Sequence, residues 1–159
     1  MNTEALLRLA DKLEGSGPYA ETGPIPAERF NMYKWMNVFI PGGLRNFKIF
    51  KGRYIVHENQ CGTVACACGW AATDPWFQER GLYVSPFNEI LYFPSEENND
   101  SLKDFTAIAH FFEISHESAR YLFMPTAIRR QRPIDVAMQI RKFTNIPHVS
   151  PSRNPVTGV

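Results

Sequence analysis

The feature that most constrains this chain is a run of small side chains from Cys61 to Ala72, CGTVACACGWAA, in which Gly62, Ala65, Ala67, Gly69, Ala71 and Ala72 take half the positions. Small residues let neighbouring backbones come close, and free cysteine is among the most buried residue types. At helical spacing Cys61, Val64, Ala65, Cys68, Ala71 and Ala72 share one broad face. The run therefore reads as a helix starting after Cys61 and forming the centre of the domain. Trp70 and Trp76 then fill space around it. A glycine inside a helix costs about 1 kcal/mol against alanine. Gly69 thus implies a close contact that offsets this cost.

The rest of the chain supplies the elements that would pack on such a centre. Residues 3–13 form an amphipathic helix capped by Asn2 or Thr3, with Leu6, Leu7, Leu9, Ala10 and Leu13 as its stripe. After the Gly- and Pro-rich loop GSGPYAETGPIP, a second helix is expected at 27–37, with Phe30, Tyr33, Trp35 and Met36 as its large residues. Two alternating runs flank Lys51-Gly52 and predict a β-hairpin over NFKIFKGRYIVH. A second hairpin is expected where LYVS and ILYFPS flank PFNE.

The last third reads as helical. Ser101 and Asp104 have capping-box spacing, followed by Phe105, Ile108, Ala109 and Phe112 at i, i+3, i+4, i+7. Ser115 caps another helix with Ile114 as a hydrophobic staple, and Ala119, Leu122 and Phe123 face inward. Pro133 suits the first turn of a final helix striped by Val136, Ala137, Ile140 and Phe143. The expected fold class is α+β: a mostly helical single domain over 1–146 with two short β-hairpins and a central small-residue helix. Residues 147–159 are expected to be an irregular tail.

Composition narrows the function classes. A length of 159 residues suits one domain that needs no disulfide or metal to fold. A net charge of +1 speaks against a strongly polyanionic partner, but the charge is uneven along the chain. From Asp74 to Glu117 there are nine acidic residues and two basic ones, Arg80 and Lys103; from Arg120 onward there are seven basic residues and one acidic, Asp135. No run is long and apolar enough to span a membrane, and the amphipathic N-terminus lacks the pattern of a signal peptide. Three clustered cysteines make a poor disulfide framework, which favours a reducing cytoplasm.

The cysteine run allows three chemical readings. For a metal site, His57, Cys61, Cys66 and Cys68 are spaced x3, x4 and x1. On a helix Cys66 and Cys68 would diverge by roughly 200°. No second cysteine pair exists, and nothing selects a distant ligand among His110, His116 and His148. Neither a metal nor a cofactor is therefore expected. For a nucleophile, Cys61 stands where a helix N-terminus would lower its pKa, with His57 as a nearby base. Gln60 precedes Cys66 by the six positions seen in papain-type proteases, but Ala67 stands where those carry tryptophan. This leaves a cysteine-dependent hydrolase or transferase, using Cys61 or Cys66 with His57, as one alternative. The third reading is packing alone.

A further alternative is DNA binding. Ala109, Ile114, Ser115, Ser118 and Ala119 fit a helix-turn-helix pattern, with Glu113 where glycine is usual. His116, Glu117, Arg120 and Tyr121 would face the groove, with Arg129, Arg130, Arg132, Arg141 and Lys142 nearby for phosphates.

Two blocks, CGTVACACGWA at 61–71 and FFEISHESARYLF at 111–123, resemble small uncharacterised proteins of phage and bacterial genomes. In these a C-G-T-x-x-C-x-x-G-W/H-A segment precedes a helical segment ending in A-x-x-L-F. The resemblance implies a phage-like genomic setting and no particular chemistry. With no phosphate loop, carboxylate pair or Ser–His–Asp pattern in the chain, the leading expectation is a non-enzymatic interaction protein. It would be a cytoplasmic phage-type accessory or anti-defence factor that binds a host protein or complex. Aromatic residues dominate interfaces, so Tyr19, Trp76 and Phe77 are the expected contacts.

Overall fold

A computed structural model describes residues 1–32, 35–37, 47–56, 64–124 and 131–157, with the backbone alone at 36–37, 64 and 146–157. Helix α1, Thr3–Glu14, is capped by Asn2 of the two expected candidates: its side-chain oxygen accepts the Ala5 N–H at 3.2 Å, and Thr3 is the first helical residue. Its Leu6, Leu9 and Leu13 are fully buried. Two 3-10 turns follow, Gly17–Tyr19 and Ala27–Arg29.

The expected helix over 27–37 does not form. Beyond the turn at 27–29, Phe30 is extended and bridges Ala65, and β1, Met36–Asn37, pairs antiparallel with β4, Val64–Ala65. Phe30 and Met32 are buried while Asn31 between them is less so, a period of two. The partner decides the conformation: the Asn31 N–H donates to the Ala65 carbonyl, and strand pairing replaces the helical ladder.

The hairpin forms where Lys51-Gly52 is expected to turn the chain. Strand β2, Phe47–Phe50, pairs with β3, Arg53–Val56, in a register that leaves only Lys51 and Gly52 in the turn. Both turn residues have positive φ, 49° and 77°, the two-residue turn that matches strand twist.

The small-residue run is shorter as a helix than its spacing predicts. Helix α2 spans only Ala67–Ala72, Cys66 is its N-cap, and Val64–Ala65 are strand. Residues 65–74 are all buried, so no single face was available for periodicity to mark. Cys61 and His57 lie outside the described residues. The contact implied at Gly69 is present: a Cβ built there would lie 1.6 Å from the Trp35 carbonyl oxygen. The Trp35 backbone occupies the space an alanine would need.

After α3, Pro75–Gln78, strands β5, Leu82–Val84, and β6, Ile90–Tyr92, form the second hairpin. Leu102–Lys103 add a third strand, β7, on β6. Ser101 consequently caps nothing, and its hydroxyl is buried without a hydrogen-bond partner among the described residues. Helix α4, Asp104–Phe112, starts instead at Asp104, whose φ is 51° and whose Oδ1 accepts the Ile90 N–H at 3.0 Å. Helix α5, His116–Phe123, is capped by Ser115, whose hydroxyl accepts the Ser118 N–H.

Helix α6 starts at Pro133 as expected but continues to Thr157, so 147–157 are helical where an irregular tail was expected. Pro147, Pro151 and Pro155 recur every four residues. Their missing N–H donors therefore fall along one side of the helix and leave the other positions able to bond.

The sheet β5–β6–β7 separates two apolar layers. Leu82, Val84 and Ile90 join α1, α2, α4, α5 and α6 in the main core. Tyr83, Leu91 and Phe93 face the other way and pack with Ile55 and Phe50 of the first hairpin. The architecture is α+β, as the sequence predicts.

Gly69→Ala tests the centre of this fold. Helix propensity alone would make the substitution stabilising by about 1 kcal/mol. The Trp35 carbonyl should instead make it destabilising by about 3 kcal/mol, read as a lower midpoint in urea.

Candidate functional site

The two faces of the first hairpin both carry large apolar residues. Phe50 and Ile55 turn inward: Phe50 lies 4.7 Å from Tyr83 and 5.3 Å from Phe93, centroid to centroid. On the outward face Ile49 and Tyr54 are cross-strand partners and stay 66% and 47% exposed. Phe87, 70% exposed, meets Tyr54 edge-to-face at 6.3 Å. Ile49, Tyr54 and Phe87 form one contiguous exposed apolar patch.

Each member sits on hydrogen-bonded backbone. Phe87 sits in the β5–β6 turn, where its N–H donates to the Ser85 hydroxyl and the Ser85 N–H donates to the Glu89 carbonyl. Lys51 anchors the hairpin tip. Its ammonium donates to the Ser95 carbonyl at 2.5 Å and the Asn98 carbonyl at 2.9 Å. No sequence expectation named this patch. The available signal was a hairpin apolar on both faces, Phe47 and Ile49 on one and Phe50 and Ile55 on the other; the core takes Phe47 and Val56 from the first face and leaves Ile49 and Tyr54 exposed.

The expected interface aromatics are placed differently. Tyr19 and Phe77 are buried, which corrects their reading as exposed contacts. Tyr19 folds back on α1, and its hydroxyl accepts from Arg8 Nε at 3.2 Å. Burial pushes its pKa up to about 12. Phe77 packs on Phe111 and Phe112. Trp76 is half-buried, with the Arg8 guanidinium 5.0 Å and the Arg80 guanidinium 3.7 Å from its ring centroid. The structure thus brings Tyr19 and Trp76 together around Arg8, as packing. Beneath them Lys12 and Asp74 form a nearly buried ion pair at 3.0 Å, and Asp74 also accepts the Trp76 N–H.

The two described thiols, Cys66 and Cys68, do not meet the requirement for a nucleophile. Cys66 stands at the N-cap of α2 but is buried, and burial pushes its pKa from the ordinary 9.0 up to about 11. Its thiol lies 3.8 Å from the Trp35 carbonyl. Cys68 is raised well above the ordinary value by burial, then by the charge of Cys66. The short helix's dipole does not outweigh this desolvation.

The α4–α5 pair has the expected three-residue turn, with Glu113 in the left-handed region at φ 53°. His116 and Arg120 are exposed on α5, and Arg120 lies 5.9 Å from the Phe105 ring. Two of the basic residues expected at phosphates are taken up by carboxylates. Arg132 makes two side-chain bonds to Asp135, at 3.0 and 3.1 Å. Arg141 is held by Asp11 at 2.6 Å and Glu14 at 2.7 Å, and these bonds raise its pKa. Arg129 and Arg130 lie outside the described residues. Cations already neutralised by carboxylates release few counterions from a phosphate backbone.

No protein-family model matches the chain, and no curated protein and no solved structure matches it either. Among the described residues no helix is long and apolar enough to cross a membrane.

Three outcomes follow from this geometry. Asp74→Ala leaves Lys12 buried without its counter-charge, which should cost about 3–5 kcal/mol, measured by chemical denaturation. Lys12→Met together with Asp74→Asn should cost much less. For Cys66 the raised pKa means that the folded state keeps a proton the unfolded state loses. Its contribution to stability is therefore full below about pH 9 and declines as pH rises toward about 11. In the folded protein at neutral pH, Cys66 and Cys68 should stay unlabelled by a thiol reagent until denaturant is added.

Proposed function

We propose that the protein is a non-enzymatic interaction protein that docks on another protein through Ile49, Tyr54 and Phe87. The observation that carries this reading is the contiguity of three large apolar side chains, all mostly or half exposed, on a backed hairpin. Solvated aromatic and aliphatic groups on preorganised backbone release water on binding and lose little conformational entropy. The desolvated Cys66 and Cys68 support this reading over catalysis by either of those thiols, and the internally paired Arg132 and Arg141 support it over DNA binding. The resemblance to small phage and bacterial proteins supports a cytoplasmic accessory or anti-defence role, with a host protein or complex as the partner.

The test is affinity capture from a bacterial lysate with the wild-type chain and with an Ile49→Thr, Phe87→Ser double variant. Both substitutions are at exposed positions, so the thermal midpoint should stay nearly unchanged. A specific protein retained by the wild type should be lost at least tenfold from the variant, since interface anchors are each worth about 2 kcal/mol or more. Equal retention by both proteins, or no specific retention by the wild type, would overturn the reading.

A further inference from the structure

The turn of the first hairpin breaks a local rule. A two-residue turn with φ positive at both positions favours Asn-Gly or Asp-Gly, because a long side chain is strained in the left-handed region. This chain has Lys51 there, at φ 49°. Its side chain shows what offsets the strain. The ammonium reaches across to residues 95–98 and takes two backbone carbonyls, those of Ser95 and Asn98. It also lies 5.7 Å from the Phe50 ring centroid and 5.6 Å from that of Phe93.

Among the described residues the segment it holds has no other such tie. Residues 94–100, PSEENND, are exposed except Ser95. Their remaining hydrogen bonds among the described residues are internal: Glu97 N–H to the Ser95 hydroxyl, and Asp100 N–H to the Asn98 side chain. Among the described residues, every hydrogen bond from this segment to the rest of the molecule ends on Lys51. Directly before the segment stands Phe93, 5% exposed and in edge contact with Phe50.

We propose that residues 94–100 are a strap latched shut by the Lys51 ammonium, and that releasing the latch opens the strap while the hairpin and core stay folded. The ammonium that holds the strap also lies over the Phe50 and Phe93 rings, so its release frees the strap and bares that edge of the second apolar cluster, on the face of the hairpin opposite Ile49 and Tyr54. The strap's own charges, Glu96, Glu97 and Asp100, make no ion pair among the described residues. Closure therefore rests on a cation held by carbonyl dipoles, and removing one positive charge is enough to release it.

Lys51→Asn separates the latch from the turn. Asparagine is the residue the turn geometry prefers, so the hairpin is kept while the ammonium is lost. The wild type and the variant are digested with a glutamate-specific protease, and cleavage after Glu96 and Glu97 is followed by mass spectrometry. Glu113 and Glu117, beside and within helices, report global opening in the same digest. Cleavage of a transiently opened segment tracks its open population. Lys51→Asn should speed cleavage at 96 and 97 at least tenfold, leave cleavage at 113 and 117 unchanged and leave the thermal midpoint equal or higher. Lys51→Arg, which keeps the charge, should stay within threefold of the wild type. Unchanged cleavage at 96 and 97 in Lys51→Asn would overturn the latch. So would acceleration at all four sites, which would make Lys51 a general stabiliser.

Discussion

The packing of the whole domain depends on the approach of the Trp35 carbonyl to Gly69. Helix α2 is buried on every side, and a buried helix can be that crowded only if its side chains take little room. Gly69 carries the extreme case, with no side chain where the Trp35 backbone passes. Ala65, Ala67, Ala71 and Ala72 extend the same economy of volume to α1, the β5–β6–β7 sheet and the β1–β4 pairing. Cys66 and Cys68 belong to this arrangement as small apolar groups, and their raised pKa values follow from it.

Around that centre the sheet works with two faces. One completes the core, and the other supports the first hairpin through Tyr83, Leu91 and Phe93. The main core covers the other face of the hairpin only at its Phe47–Val56 end, so Ile49 and Tyr54, further along that face, stay in water. Two lysines hold the periphery by similar means. Lys12 is fixed by a buried carboxylate and Lys51 by carbonyl dipoles, and each ties a loop or helix start to an element remote in sequence.

Legibility followed the range of the interactions. The cap at Asn2, the cap at Ser115, the Lys51-Gly52 turn and the start at Pro133 are decided within a few residues, and all were readable. The segment 27–37 was misread because Phe30 and Met32 obey a partner strand rather than local propensity. Ser101 was misread as a cap because β7 pairs with β6, an interaction no local motif encodes. The end of α6 was misread because three prolines suggest irregular chain. Tyr19 and Phe77 looked like exposed anchors because the Gly- and Pro-rich flanks of one, and the Asp-Pro start of the other, resemble surface loops. Tyr19 folds back on α1, the helix just before it, and Phe77 is covered by α4, distant in sequence.

The sequence by itself determined the α+β class, both hairpins, the α4–α5 pair and the central place of the small-residue run. These depend on periodicity, turn chemistry and side-chain volume, which are properties of short segments. Only the tertiary structure decided where α2 begins, which aromatics meet water and which cations are already paired. Those outcomes depend on which surfaces meet, and the pairings run between residues tens of positions apart. Arg141 with Glu14, Lys12 with Asp74 and Gly69 with Trp35 are all of this kind.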